Sequence, residues 1–149
     1  EVRTEATKKI NRDLVLDIMG TDIDARMVEI AKENAQKAGV ASDITFKQMR
    51  VQDLRSDKIN GVIISNPPYG ERLSDDAGVT KLYAEMGEVF APLNTWSKFI
   101  LTSDENFEKK FGRQADKKRK LYNGTLKVDL YQFFGERVRR QATSEKGNI

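Results

Sequence analysis

One stretch constrains the fold more than any other: residues 61–72 read GVIISNPPYGER. Residues 62–65 form a short apolar run bounded by glycine and proline, which is typical of a strand buried on both faces in a parallel sheet. The proline pair ends that strand, because neither proline has an N–H to donate and the second restricts the backbone of the first. The sequence therefore predicts a stiff loop at the carboxyl end of a buried strand, where open α/β sheets bind ligands.

Strand-like and helix-like patterns alternate along most of the chain. The apolar spacing predicts strands over residues 14–19, 44–48, 62–65 and 99–102, and helices over residues 25–38, 79–93 and 105–112. Asn123-Gly124, with strand-like residues on either side, predicts a β-hairpin over residues 118–134 with that pair as its turn. Together these patterns indicate an α/β fold in which a doubly wound, mostly parallel sheet ends in an antiparallel hairpin.

Composition excludes several kinds of chemistry. The 149 residues suit a single domain, and they include neither cysteine nor histidine. Zinc hydrolases, cysteine proteases and Ser-His-Asp hydrolases are therefore excluded within this chain, and no metal site is predicted. No membrane span or signal peptide is visible, so a cytoplasmic protein is expected. Because the first residue is Glu1 rather than Met, we expect the chain to be part of a longer protein.

The residues of the proline-containing loop suit the recognition of an amino group. The side-chain carbonyl of Asn66 and the backbone carbonyl of Pro67 are two hydrogen-bond acceptors on a rigid segment. Two such acceptors can bind both hydrogens of a planar exocyclic NH2 group. Tyr69 offers an aromatic face on which a flipped base can stack. An alternative is a proline-rich turn that merely ends a strand.

This loop resembles a known catalytic motif. SNPPY after an apolar strand resembles the catalytic loop of class I S-adenosylmethionine-dependent amino-methyltransferases. The longer string NPPYGERL resembles bacterial rRNA guanine-N2 methyltransferases that carry an RNA-binding THUMP domain. The resemblance implies a Rossmann-like class I methyltransferase sheet and S-adenosyl-L-methionine as cofactor. It also implies four catalytic residues, which are Asn66, Pro67, Pro68 and Tyr69.

The resemblance extends over almost the whole chain, residues 1–149, but only over the later part of the family's catalytic domain. The family binds its cofactor with a glycine-rich loop after the first strand, and no two glycines of this chain form a G-x-G pair. The first strand, that loop and any THUMP domain are therefore expected before Glu1. Without that first strand, two buried sheet edges would have unpaired backbone groups, and a homodimer or an upstream segment of the same protein is the expected partner there.

The same resemblance assigns cofactor-binding residues. An acid at the end of the second strand of such folds accepts hydrogen bonds from ribose hydroxyls, a role that falls to Asp22, with Ile23 beside the adenine. Asp53, after the third strand, would accept from the adenine amino group, and Asn66 would also face the cofactor. Asp22 could instead favour the helix N-terminus that follows, the role expected of Asp24, and Asp53 could be an ordinary surface acid.

Basic residues are candidates for RNA contacts. The chain carries a net charge of +3, with seven basic residues and one acid between positions 109 and 120. Such a run is either a nucleic-acid footprint or a solvated surface. The residues predicted to contact phosphates are Arg72, Lys117, Lys118, Arg119 and Lys120.

The predicted activity is methylation of an exocyclic amine, with guanine N2 in 23S rRNA as the expected substrate. The string GER after the loop favours RNA guanine over two rival substrates of enzymes with an Asn-Pro-Pro-Tyr loop, which are adenine N6 in DNA and glutamine N5 in protein. The alternative of another class is a non-catalytic RNA-binding or decayed fragment, which the absence of a glycine-rich loop would favour.

Overall fold

The chain divides into two compact units, Glu1–Asp53 and Leu54–Ile149. The computed structural model describes residues 1–69 and 76–138, so Arg72 lies outside the described residues.

The first unit is a two-stranded parallel sheet with a helical crossover. Its elements are α1 (Val2–Lys8), β1 (Ile18–Asp22), α2 (Ala25–Lys37) and β2 (Ile44–Gln48). β1 and β2 pair in register from Ile18 opposite Ile44 to Asp22 opposite Gln48. The predicted helix over residues 25–38 and the predicted strand over residues 44–48 are confirmed.

The predicted strand over residues 14–19 is wrong in its position. Leu14 and Val15 are 57% and 93% exposed, and the strand begins only at Ile18. The ladder with β2 decides the boundary, because it carries β1 on through Gly20 to Asp22. Glycine suits position 20 of this strand because it has no Cβ. A Cβ there would lie 2.9 Å from the ring of Phe46 on β2, too close for an ordinary contact. Hydrophobicity alone therefore placed the strand too early in the chain.

The second unit is a four-stranded mixed sheet with helices. Its elements are β3 (Val62–Ser65), α3 (Asp76–Phe90), β4 (Ser97–Thr102), α4 (Phe107–Phe111), β5 (Lys117–Asn123) and β6 (Leu126–Phe133). The strand order is β3-β4-β6-β5, with β3 parallel to β4 and the other two pairings antiparallel. The predicted α/β fold with a closing antiparallel hairpin is confirmed.

Within the described part of residues 1–149, β3 is covered on one face only, whereas the sequence predicts burial on both faces. Val62 and Ile64 are 57% and 81% exposed, whereas Ile63 and Ser65, on the other face, are half-buried. β3 is an edge strand of its sheet, and no described strand pairs with its outer side. An apolar run thus correctly predicted a strand, but it did not reveal which of its faces is covered.

An aromatic cluster forms the core of the second unit. The Phe107 ring on α4 lies 4.9 Å from the Tyr83 ring on α3 and 4.8 Å from the Tyr131 ring on β6, between ring centroids. Phe111 stacks on Phe107 at 5.1 Å and lies 4.8 Å from Phe133. Such aromatic pairs each contribute about 0.5–1.5 kcal/mol beyond the area that they bury. The cluster holds α3 and α4 against β6.

The hairpin forms as predicted, but its turn is displaced by one residue. Asn123 pairs with Leu126, so the two-residue loop is Gly124-Thr125 rather than Asn123-Gly124. Gly124 has a φ of 63°, a backbone conformation that glycine adopts without a steric cost. Asn123 remains in the strand, because a glycine at the first loop position satisfies the turn by itself.

We predict that Gly87→Ala lowers the stability of the chain by about 1–3 kcal/mol. Gly87 lies in α3 where the backbone approaches α4, and an added Cβ would collide with the carbonyl oxygen of Phe111. Thermal unfolding measures the effect. Gly78→Ala is the matched control, because Gly78 is an exposed residue of the same helix; alanine there should leave stability unchanged or raise it by up to about 1 kcal/mol. Equal melting temperatures for Gly87→Ala and the unmodified chain would contradict the close helix contact.

Candidate functional site

The proline-containing loop follows β3 directly, at the carboxyl end of a strand that runs parallel to β4. Asn66 and Pro68 are exposed, Tyr69 is half-buried and Pro67 is buried. The buried ring of Pro67 anchors the loop to the protein while the Asn66 side chain stays accessible. The structure thus gives Asn66 the exposure that contact with a ligand requires.

The carbonyl of Pro68 is hydrogen-bonded from inside the protein. The Tyr83 hydroxyl lies 3.0 Å from the Pro68 carbonyl oxygen and 2.9 Å from Thr102 Oγ1. Tyr83 and Thr102 are both fully buried, the first on α3 and the second at the end of β4. The loop is therefore tied to the strand next to β3 through a helix that comes later in the chain.

A second set of polar contacts surrounds Asp104, just after β4. Its N–H donates to Thr102 Oγ1 at 3.1 Å, and its carbonyl accepts from the Tyr131 hydroxyl at 3.1 Å. Its carboxylate accepts from Lys110 Nζ at 2.7 Å, and the same ammonium group lies 3.1 Å from the carboxylate of Asp76. The hydrogen bond to Asp104 is the main cause that raises the pKa of Lys110. Lys110 therefore stays charged and links α4 to the start of α3.

Sequence reasoning missed this polar network. Tyr83 occupies an apolar position of the predicted helix over residues 79–93, and Thr102 ends the predicted strand over residues 99–102, so these patterns indicate no further role for either residue. Burial raises the pKa of Tyr83, which keeps its hydroxyl protonated and able to donate. The only signal in the sequence is that both core positions carry a hydroxyl group, which requires a partner when it is buried.

The predicted ribose-binding acid is the last residue of β1. Asp22 is exposed, and one of its carboxylate oxygens accepts the N–H of Asp24 at 2.8 Å. Its backbone carbonyl accepts from the N–H of Met49 at 2.9 Å, which extends the pairing beyond β2. Ile23 is 66% exposed, and its carbonyl accepts from the side chain of Gln48. Both residues are accessible at the carboxyl end of the strand.

Asp24 has the role of helix cap that the sequence predicts. Its carboxylate accepts the N–H of Arg26 at 2.9 Å at the start of α2. It also forms a salt bridge with the Arg26 side chain at 2.7 Å. The hydrogen bond from that side chain is the main cause that lowers the pKa of Asp24.

Asp53 lies in a short 3₁₀ turn, Val51–Asp53, that follows β2. Its two carboxylate oxygens each accept from the guanidinium group of Arg50 at 3.0 Å. β1 and β2 are parallel, so Asp22 and Asp53 both follow carboxyl ends at the same edge of their sheet. An ionised carboxylate can accept several hydrogen bonds, so the contact with Arg50 leaves Asp53 capable of accepting an amino group as well.

Apart from Arg72, the predicted RNA-contacting residues form most of β5, at the opposite edge of the second unit's sheet from β3. Three strand spacings separate these edges, roughly 14 Å. Side chains alternate along a strand, so the four residues divide between two faces. All four are exposed; they are Lys117, Lys118, Arg119 and Lys120. Lys120 lies opposite Asp129 on β6, and Asp129 lies opposite Thr102, the last residue of β4. These three residues therefore form one row across the sheet.

Lys118 differs from its three neighbours because it has a role in the fold. Its ammonium group lies 3.6 Å from the carboxylate of Asp129 and 5.1 Å from the ring centre of Tyr131. Asp129 is buried, and within the described part of the chain its Oδ1 has no hydrogen-bond partner. A buried carboxylate is costly without a nearby cation. Lys118 therefore compensates an internal charge.

The described ranges are residues 1–69 and 76–138. They contain no group of acidic residues, or of histidine and cysteine, that could hold a metal ion. None of the helices found there has the length and apolar character needed to cross a membrane.

Two curated relatives show what the chain is similar to. YpsC of Bacillus subtilis (strain 168), whose name classes it provisionally as an RNA methyltransferase, is 51% identical over 144 residues. The match covers 96% of this chain and 37% of YpsC. A Legionella pneumophila (strain Philadelphia 1) protein named ribosomal RNA large subunit methyltransferase K/L is 35% identical over 132 residues, covering 88% of this chain and 18% of that protein. The chain therefore spans well under half of each relative.

Solved structures agree with the fold. A crystal structure of SMU.472, described provisionally as a methyltransferase and complexed with SAH, superimposes with a TM-score of 0.87 at 64% identity, over 93% of this chain and 37% of that one. A Listeria monocytogenes protein whose name predicts an N6-adenine-specific DNA methylase gives 0.80 at 50% identity, over 90% of this chain and 34% of that one. These matches confirm the Rossmann-like methyltransferase fold.

The family assignment rests on the chain's own residues. The family model described as "RMKL-like, methyltransferase domain" matches residues 1–132, which include both parallel strand pairs and the loop of Asn66–Tyr69. The chain therefore belongs to the family of RMKL-like methyltransferase domains.

Proposed function

We propose that the protein to which this chain belongs transfers a methyl group from S-adenosyl-L-methionine to the exocyclic N2 amine of guanine in 23S rRNA. The observation that carries the proposal is the loop after β3, where an exposed Asn66 stands beside a buried Pro67. The names of the two curated relatives support RNA as the substrate, and the name of the Legionella protein supports the large ribosomal subunit.

The loop would act on the amine by orienting it. The Asn66 side-chain carbonyl and the Pro67 backbone carbonyl accept the two N–H hydrogens, so that the nitrogen lone pair points at the methyl carbon. Both acceptors also stabilise the positive charge that develops on nitrogen as the new bond forms. The amine loses its extra proton to water after the transfer, so no strong base is needed. Tyr69 stacks on the extruded base and fixes its plane.

The residues of the first unit suit the cofactor. When bound, S-adenosyl-L-methionine supplies an electrophilic methyl group on a sulfonium; the carbon–sulfur bond breaks as the carbon–nitrogen bond forms. The exposed carboxylate of Asp22 at a strand end is the acceptor that ribose hydroxyls require. Exposed Ile23 would lie against the adenine, and Asp53 would accept from the adenine amino group. Asn66 would border the methyl group. The SAH in the SMU.472 structure supports S-adenosyl-L-methionine as the cofactor.

The substrate and the setting are proposals for the whole protein. Basic residues of β5 would contact rRNA phosphates, Arg72 would join them, and the reaction would take place in the cytoplasm. An upstream segment of the same protein or a second copy would pair with the open sheet edges. Adenine N6 in DNA is the main rival substrate, because the Listeria protein carries that name. Methylation assays on naked 23S rRNA, duplex DNA and a protein glutamine substrate separate the candidates, and methylation of DNA alone would overturn the proposal.

We predict that Asn66→Ala in the complete protein lowers kcat by at least about 100-fold, comparable to the loss of one oriented polar group in an active site. The side chain is exposed, so the melting temperature should stay close to that of the unmodified protein. Asn66→Asp is the control, because it keeps an acceptor oxygen at the same place and should lose less activity. Near-normal turnover of Asn66→Ala would exclude a role for this side chain in orienting the amine.

A second prediction concerns the cofactor. Asp22→Ala should weaken binding of S-adenosyl-L-methionine by about tenfold or more, because the ribose hydroxyls lose a charged acceptor, worth about 1.5–3 kcal/mol. Isothermal titration calorimetry of the complete protein measures the change. Asp57→Ala is the control, because Asp57 is an exposed acid that the proposal leaves without a role. Equal affinities of the Asp22 and Asp57 variants would contradict the ribose contact.

A third prediction concerns RNA. Neutralising Lys117, Arg119 and Lys120 together should weaken rRNA binding and reduce the slope of log affinity against log salt by about two, since each single-strand phosphate contact adds about 0.7. Lys118 is left intact because it compensates Asp129. The control variant removes the same charge from Lys8, Lys9 and Arg12, which are exposed in the first unit. If both variants show the slope of the unmodified protein, β5 is a solvated surface.

A further inference from the structure

We propose that Tyr83 is a positioning residue for the methyl-transfer loop: its buried hydroxyl holds the Pro68 carbonyl and thereby fixes the acceptors that precede it. This inference rests on the proposed function, because it assigns Tyr83 to the same loop. The observation that supports it is the hydrogen bond of 3.0 Å between the Tyr83 hydroxyl and the Pro68 carbonyl oxygen.

The direction of every hydrogen bond in this chain of contacts is fixed by chemistry. The Pro68 carbonyl can only accept, so Tyr83 must donate its single hydrogen to it. Thr102 must then donate its hydroxyl hydrogen to the Tyr83 oxygen, 2.9 Å away. The Thr102 oxygen in turn accepts the N–H of Asp104 at 3.1 Å. Each hydroxyl group both donates and accepts, so the arrangement cannot reverse without breaking the bond to the loop.

The hydrogen bond to the Pro68 carbonyl restrains a backbone torsion angle that the two proline rings leave free. The rings of Pro67 and Pro68 fix φ for both residues, which leaves their ψ angles as the main soft torsions. Holding the Pro68 carbonyl fixes ψ of that residue and so sets the direction of Tyr69. It also limits rotation at Pro67, whose own carbonyl is a proposed amine acceptor. An error of about 1 Å in such a group can cost about 100-fold in rate.

The hydroxyl group of Tyr83 is not needed to fill space. Its ring packs edge-on against Phe107, a contact that a phenylalanine would make equally well. A buried hydroxyl adds a desolvation cost that must be offset by hydrogen bonds. Here that offset comes from a loop carbonyl and a threonine at the end of β4. The hydroxyl is therefore explained by what it holds rather than by the volume that it fills.

The helix that carries Tyr83 is itself held in place. Lys110 binds both Asp104, beside Thr102, and Asp76, at the start of α3. α3 is thus linked to the end of β4 at two points, one through Thr102 and one through this cation. Because Tyr83 cannot move independently of these anchors, the Pro68 carbonyl is held in a fixed position relative to the end of β4.

The test uses the complete protein with Tyr83→Phe, which removes only the hydroxyl. We expect kcat to fall by about tenfold, while the KM for RNA and the Kd for S-adenosyl-L-methionine change by less than about twofold. A second readout needs no activity: the amide hydrogen of Tyr69, measured by NMR hydrogen exchange, should exchange faster in the variant. If the unmodified protein methylates no substrate, the proposed function fails, and the exchange measurement still decides whether Tyr83 holds the loop.

The matched control is Tyr131→Phe. Tyr131 is equally buried, and its hydroxyl also donates to a backbone carbonyl at 3.1 Å, but that carbonyl belongs to Asp104 and not to the loop. It should leave the Tyr69 exchange rate and kcat close to normal. Equal effects of the two substitutions, or no effect of Tyr83→Phe on exchange, would overturn the proposal.

A threonine pair covers the case in which Tyr83→Phe does not fold. Thr102→Ser keeps the hydroxyl that supports Tyr83 and should retain the kcat and the Tyr69 exchange rate of the unmodified protein. Thr102→Val has nearly the same shape but loses the hydroxyl, so it should reduce kcat and speed exchange. Indistinguishable behaviour of the serine and valine variants would contradict a hydrogen-bonded support for the loop.

Discussion

The parallel pairing of β3 with β4 is the constraint on which the second unit depends. It places the end of β3 and the end of β4 at one edge of the sheet, so the loop of Asn66–Tyr69 emerges beside Thr102. α3 can then contact both strand ends with one side chain, Tyr83. Without a parallel neighbour, the loop would have no adjacent carboxyl end to which a buried hydrogen bond could tie it.

Much of this arrangement could be predicted from local patterns. The apolar run before Asn66 predicted a strand, the prolines predicted its end, and the spacing from Val79 onward predicted α3. These predictions succeed because they depend on residues whose own chemistry determines the local backbone. Proline, for example, has no N–H to donate and so ends a strand. The resemblance of this loop to a methyltransferase motif added the proposed roles of the loop residues, which no periodicity could supply.

Predictions that depend on a partner strand were less successful. The hydrophobicity of residues 14–19 predicted a strand before its true start, because pairing with β2 sets the ladder at Ile18. The exposure of Val62 and Ile64 depends on what covers one face of β3, which its own sequence does not contain. The roles of Tyr83 and Thr102 could not be predicted for the same reason. The Pro68 carbonyl, which accepts from Tyr83, is distant in sequence and is a backbone group common to all residues, and Thr102 acts through Tyr83.

The open side of β3 has a consequence for the behaviour of the chain in solution. Its outer edge presents backbone N–H and C=O groups that no described strand satisfies, next to the exposed apolar side chains of Val62 and Ile64. Unprotected edges of this kind are templates on which other polypeptides add a strand, and natural proteins usually blunt them with charges or bulges. β3 has neither device, being VIIS throughout. Studied by themselves, residues 1–149 should therefore associate more strongly as their concentration rises, because strands from different copies can pair along this edge.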